Sequence, residues 1–265
     1  MELRASLLIS HSNEYRELEL SLALLAVQGF RDFEVIVCDD GSHDHYRLDE
    51  IMALYREFLN VDGVTRADAG FRLAAIWNAG AAKAIGERLI STNADLIASR
   101  GFLWFHAQPP VSVICCGTCH RIPRGYRDRV LAMSDPEGVL FFAESHYVPD
   151  MCSDTVKSPG NVYGGNWSIN ARRFRAVGGL DESFVGWAGE DADIGLRFSE
   201  NGGQVYLSDV PRAYHIDHVA RHETQPHGTE HFRRKWKARN STTALAPERA
   251  AEMKPNDGMI RMREH

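Results

Sequence analysis

Three carboxylates, Glu190, Asp191 and Asp193, follow closely on Trp187 and Gly189 in the stretch VGWAGEDADIGLRF, Val185 to Phe198. Like charges at that spacing repel, so something must compensate them: a solvated helix start, a metal or a substrate hydroxyl. Glu190 and Asp191 stand where a helix would begin, and the helix dipole favours negative charge there. A helix start needs one acid, however, and here a pair stands behind a Gly-rich loop containing a tryptophan. A carboxylate at a cleft edge can take the proton of an attacking hydroxyl. The indole offers an apolar face to a sugar ring.

Three further groups could do chemistry. VIVCDDGS closes on Asp39, Asp40, Gly41 and Ser42, a carboxylate pair able to accept a hydrogen bond from a base or a ribose. The same residues also suit a tight turn. STNAD, Ser91 to Asp95, ends in an acid whose hard oxygens suit Mg²⁺ or Mn²⁺ against a diphosphate. An Asn/Asp helix cap would explain it equally. AYHIDHVARH places His215 and His218 at a spacing that can serve one ligand group, and Asp95 alone would need such partners.

The elements that must position these groups alternate. ASLLIS is a short strand, and Leu18, Leu22, Leu25 and Ala26 recur at helical spacing before Gly29. FEVIVCDDGS is a buried strand, followed by the amphipathic YRLDEIMALYREFL. This β-α-β-α order predicts a parallel sheet with crossover helices, whose ligands bind beyond the carboxyl ends of the strands. Ser10 to Asn13 and Asp39 to Ser42 lie at two such ends. Gly70 to Gly86 predicts another helix, RLIST a strand with NAD at its end, and GFLWFHAQ a helical or extended piece. VSVICCGTCH reads as one strand, 121–159 as a loop-rich insertion, NARRFRAVGG as a short helix, EDADIGLRFSENGG as a helix, and QVYLS as the last strand.

Composition narrows the function classes. The chain has 265 residues, 44% of them apolar, and a net charge of −6. That charge argues against a general nucleic-acid binder, which needs a basic face. Five cysteines without a regular framework fit a reducing compartment, and CCGTC lacks the second ligand pair that zinc would want. No run of about eighteen apolar residues occurs. A soluble, cytoplasmic protein is expected, with peripheral membrane contact left open and the oligomeric state unread.

Taken together, these residues resemble the family 2 glycosyltransferases of the GT-A fold. SLLISHSNEY…FEVIVCDDGS is similar to that family's opening, GFRLAAIWNAG to its G…AARNAG helix, and STNAD to its D-x-D metal motif. GGNWSINARRFRAVGGLDESFVGWAGEDADIGLR resembles the C-terminal half shared with β-galactosyl-, N-acetylgalactosaminyl- and chondroitin-type transferases, whose signature is G-W-G-G-E-D. The likeness spans roughly residues 5 to 220. Three positions depart from the pattern: Asn93 in place of the first metal-motif acid, Trp77 in place of Arg, and Ala188 in place of Gly.

The resemblance implies an α/β, GT-A (nucleotide-diphospho-sugar transferase) fold, with a Rossmann-like, mostly parallel central sheet flanked by helices. It implies one domain over 1–240, with a nucleotide-sugar half (about 1–110), an acceptor half (about 111–240) and a tail over 241–265. Ser10, Asn13, Asp40, Arg72, Asn93 and Asp95 would bind the nucleotide sugar, a UDP-sugar by default. Asp95 with His215, and His218 as second choice, would hold Mn²⁺ or Mg²⁺. Asp191 would be the general base, with Glu190 beside it in the catalytic pair; Trp187 and Glu190 would shape the site of a glycan or other hydroxyl acceptor. The implied activity is metal-dependent sugar transfer with inversion, in polysaccharide biosynthesis. The alternatives are a retaining enzyme of the same fold, an inactive sugar-nucleotide or glycan-binding homologue, and a nucleotidyltransferase. The last would show a Gly-rich, basic phosphate loop that ISHSNEY is not.

Overall fold

The computed structural model describes residues 3–149, 160, 162, 164–218 and 228–243. Two sheets share the work. The larger has seven strands in the order β10-β6-β9-β4-β1-β2-β3, and the smaller has four, in the order β5-β11-β7-β8. In chain order the strands are β1 (Ala5–His11), β2 (Phe33–Asp39), β3 (Val61–Thr65), β4 (Arg88–Asn93), β5 (Leu96–Ala98), β6 (Val113–Cys116), β7 (Cys119–Ile122), β8 (Val148–Pro149), β9 (Trp167–Asn170), β10 (Gln204–Leu207) and β11 (Ala213–Ile216). The helices are α1 (Tyr15–Ala26), α2 (His45–Tyr55), α3 (Leu73–Lys83), α4 (Phe102–Ala107), α5 (Arg127–Leu131), α6 (Pro136–His146), α7 (Ala171–Ala176), α8 (Glu190–Glu200) and α9 (Gly228–Thr243).

β1 and β2 are buried at every position, which is why their runs are continuously apolar rather than alternating. Both pair parallel, β1 with β4 and β2 with β3. Among the strands of the large sheet only β9 runs against its neighbours, pairing antiparallel with β4 and β6. The sheet is thus mostly parallel with helices on its faces, as expected. α3 lies close on this sheet because Gly80 has no side chain: a Cβ there would come 2.4 Å from Cys38 Sγ.

Three expectations are corrected. The stretch 121–159 is not loop-rich in its described part: it holds α5 and α6. Asp135 caps α6 by accepting from the Glu137 and Gly138 amides, and Pro136 sits at the first helical turn. VSVICCGTCH is two strands in different sheets, broken at Gly117, where a Cβ would meet Pro211 O at 2.0 Å. QVYLS is followed by one more strand, β11. The tail's first residues, 241–243, continue α9; residues 244–265 and Cys152 lie outside the described residues. No helix among the described residues is long and apolar enough to cross a membrane.

A buried polar network braces β9. Arg88, 3% exposed, donates to the Val113, Pro109 and Pro110 carbonyls and to Ser168. His106 is fully buried between Ser168 Oγ (3.0 Å) and Asn166 Oδ1 (2.8 Å). Burial, then the Arg88 charge, pushes its pKa down to about 3 against the opposing bond to Asn166. The Asn166 amide nitrogen already donates to Thr118 O and Pro211 O. The Asn166 oxygen therefore takes the ring proton from Nε2, and Nδ1 accepts from Ser168.

Candidate active site

The carboxyl ends of β1, β2 and β4 open into a crevice of about 510 Å³. At one end lies Asp40, the residue after β2. Its Oδ1 accepts from Arg66 Nη1 at 2.6 Å and its Oδ2 from the Arg72 backbone N–H at 2.8 Å. Asp68, Gly70 and Phe71 line the same end.

At the other end Asp95 stands between β4 and β5, fixed by two backbone bonds: Ala94 N–H to Ser10 O and Ile216 N–H to Asp95 O. β11 runs antiparallel to β5 with His215 opposite Leu96, and this register delivers His215 to Asp95. His215 Nε2 and His218 Nε2 lie 3.0 and 3.1 Å from Asp95 Oδ2. Burial pushes the Asp95 carboxyl up, but the two imidazoles outweigh it and hold it below the usual carboxylate range. Asp95 Oδ1 is buried without a hydrogen-bond partner. One atom from each of the three residues falls within 4.8 Å of the others. A carboxylate oxygen with spare lone pairs beside two imidazoles fits a divalent cation. No lysine or arginine is among the described residues lining the crevice.

Asp191 stands in the first turn of α8. Its Oδ1 accepts from Trp167 Nε1 at 3.0 Å, and its Oδ2 lies 2.8 Å from where a Cβ on Gly164 would stand. Gly165, next along, would place its Cβ 3.1 Å from Asn93 Nδ2. β9 runs antiparallel to β4, so its start lies at the carboxyl end of β4. These contacts place Asp191 at the same sheet edge as Asn93. Burial, then the neighbouring Glu190 charge, raises the Asp191 pKa well above the ordinary value, opposed by the Trp167 bond. Glu190 is 4% exposed, its Oε2 has no hydrogen-bond partner, and burial raises its pKa too.

Residues 6–133 match the family model described as Glycosyl transferase family 2, and residues 152–219 that described as N-terminal domain of galactosyltransferase. Validoxylamine A glucosyltransferase of Streptomyces hygroscopicus subsp. jinggangensis is 28% identical over 240 residues, covering 82% of this chain and 56% of that protein. Chondroitin synthase of Escherichia coli is 26% identical over 238 residues, covering 79% and 34%. Among solved structures, GalNAc-T7 with UDP, GalNAc and Mn²⁺ superposes with a TM-score of 0.63 at 20% identity, over 84% of this chain and 45% of that one. The Pyrobaculum calidifontis mannosyltransferase PcManGT with GDP-Man and Mn²⁺ gives 0.59 at 19%, over 84% and 60%. Two glycosyltransferase family models thus match in succession along the chain, and its fold is that of the GT-A glycosyltransferases. The chain spans about half the length of the first of these relatives.

Of the residues singled out from the sequence, Ser10, Asp40, Asn93, Asp95, Trp187, His215 and His218 line one crevice. Asn13, Arg72, Glu190 and Asp191 are not among its lining residues. Asn13, at φ 58°, turns its Oδ1 to the His43 amide at 2.9 Å. Arg72 meets Asp40 through its backbone, while its Nε points to Ala69 O. His11, Ser12, Glu14, Asp68, Phe71 and Leu73 also line the crevice, and the sequence reading passed over them. Two of them, His11 and Ser12, fall in the strand-end stretch already marked. Arg66, which holds Asp40, carries no local motif; Trp167, which holds Asp191, lies in the GGNWSIN stretch, where the resemblance singles out no role for it.

Proposed function

We propose that this chain moves a sugar from a nucleotide-diphosphate sugar, a UDP-sugar first, to an acceptor hydroxyl with inversion of configuration. What carries this reading is the crevice itself. It places Asp40 at one end and Asp95, His215 and His218 at the other, with no lysine or arginine among the described lining residues. Asp40 is already paired with Arg66, but a diphosphate set against Asp95 needs a compensating positive charge there. The pairing of nucleotide and Mn²⁺ in the GalNAc-T7 and PcManGT complexes supports it.

In this reading Asp40 accepts a hydrogen bond from the base, and Ser10 and Asn93 contact the nucleotide. Asp95, His215 and His218 would hold Mn²⁺ or Mg²⁺. A bound divalent cation would neutralise charge on the leaving diphosphate. Asp191 takes the proton of the acceptor hydroxyl as that oxygen bonds to the anomeric carbon and the bond to the diphosphate oxygen breaks. Burial and the neighbouring Glu190 charge raise its pKa, which makes it a stronger base than an ordinary carboxylate. Trp187, 43% exposed at the mouth, offers its ring to the acceptor sugar. Glu190 shapes that site from below.

The test is a thermal-shift panel of UDP, GDP and their sugars with and without Mn²⁺. Stabilisation only when nucleotide and Mn²⁺ are both present is expected, and Asp95→Ala should abolish it. Equal stabilisation without the cation, or none with any nucleotide, would reject the reading.

A further inference from the structure

The loop that carries Trp187 passes three times through the left-handed region. Gly186, Ala188 and Gly189 have φ values of 85°, 74° and 109°. The two glycines adopt this region freely, but Ala188 holds it only where its surroundings over-determine it. Two backbone hydrogen bonds do so from opposite sides. The Gly186 N–H donates to Phe71 O at 3.1 Å, at the Asp40 end of the crevice. The Gly228 N–H, at the first residue of α9, donates to Trp187 O at 2.7 Å. A Cβ on Gly228 would stand 1.8 Å from Ala188 O, so helix start and loop touch with no room for a side chain.

α9 is itself clamped, through residues that helical spacing gathers on one face. His231 Nε2 lies 3.0 Å from Ser183 Oγ, and its ring meets Phe184 edge-on at 4.6 Å. Lys235 Nζ bridges Asp181 Oδ2 at 2.6 Å and Asp193 Oδ1 at 2.7 Å. Trp236 Nε1 donates to the same Asp193 oxygen at 3.0 Å. Asp193 is fully buried, and Arg197 Nε takes its other oxygen at 2.7 Å. A buried carboxylate persists only when it is paired in this way. The third acid of the cluster behind Trp187 thus joins α9 to α8.

We propose that α9 is the positioning element for Trp187: Lys235 fixes the helix on α8, and Gly228 transmits that position to the loop. The proposal rests on the sugar-transfer reading for its purpose, which is to seat the acceptor beside the donor. Lys235 and Gly228 touch neither substrate; they are positioning residues.

The experiment uses the full chain as wild type, Lys235→Met, Lys235→Arg and Gly228→Ala, each made with and without Trp187→Phe so that Trp187 fluorescence is isolated by difference. Acrylamide quenching of Trp187 and calorimetric affinity for UDP and GDP with Mn²⁺ are measured. Quenching should rise at least twofold in Lys235→Met and in Gly228→Ala. Lys235→Arg should restore the wild-type value, and nucleotide affinity should stay within twofold throughout. Unchanged quenching in both variants overturns the proposal. So does unfolding of both by circular dichroism, which would make α9 a folding element only. Failure of the wild type to bind either nucleotide with Mn²⁺ rejects sugar transfer instead. The fluorescence comparison, which needs no nucleotide, then still decides whether α9 holds Trp187.

Discussion

Removing one hydrogen bond should move the acidic limb of the pH–rate profile in a direction fixed by geometry. Trp167 Nε1 donates to Asp191 Oδ1 at 3.0 Å, and this bond favours the ionised carboxylate against burial and the Glu190 charge. Trp167→Phe deletes the donor while keeping an aromatic ring against Trp77, which stacks on it at 4.9 Å. A hydrogen bond to a charged group is worth about 1.5 kcal/mol or somewhat more, roughly a tenfold change in the ionisation equilibrium. The acidic limb of kcat/KM should therefore rise by about one pH unit. Below that limb the rate should fall about tenfold, and on the plateau it should change little.

Glu190→Gln should do the reverse. It removes the like charge that raises the Asp191 pKa, so the limb should fall. Opposite displacements by two substitutions on one carboxylate are difficult to produce by loss of folding, which lowers the whole profile. Nucleoside diphosphate release measured from about pH 5 to 9 reads the limb, and a thermal melt accounts for the cavity left by the indole, about 1–3 kcal/mol. If both variants leave the limb in place, or move it the same way, Asp191 is not the group that takes the proton.

Asp191→Asn should cut transfer by 10³-fold or more while leaving the affinity for UDP with Mn²⁺ within about threefold, as measured by calorimetry against initial rates. Ala188→Gly should raise Tm by roughly 2 °C, because relief of about 1–2 kcal/mol of left-handed strain at φ 74° exceeds the entropy that glycine adds to the unfolded chain. A lower Tm would mean that Ala188 is unstrained. Gly80→Ala should cost about 1–3 kcal/mol in denaturant midpoint, since its Cβ would stand 2.4 Å from Cys38 Sγ and lift α3 off the sheet.

The parts of the fold that could be read from the sequence are those whose signals are local. β1, α1, β2 and α2 announce themselves by period, and the acids after β2 and β4 by their place at strand ends. The misreadings have physical causes. Asp135, Pro136 and Gly138 look like a loop, yet Asp before Pro is also how a helix starts, and α6 uses them so. Gly117 divides a seemingly continuous strand because Pro211 O, ninety-four positions away, occupies the space of its side chain. β11 is four residues long and finds its place by pairing with β5 and β7, which no local pattern encodes. Asn13 and Arg72 show the same limit within the site, for position at a strand end does not say which way a side chain turns. The acids behind Trp187 make the point most fully. Repulsion among Glu190, Asp191 and Asp193 demands compensation, but the sequence cannot say that each finds a different kind. Asp193 is paired with Lys235 and Arg197, Asp191 takes an indole N–H, and Glu190 keeps one oxygen without a partner. Charges that look like one cluster along the chain are compensated in three different ways in space, although Glu190 and Asp191 still act on one another. Asp191 and Glu190, whose pKa values burial raises, are left without the ion pairs that fix Asp193.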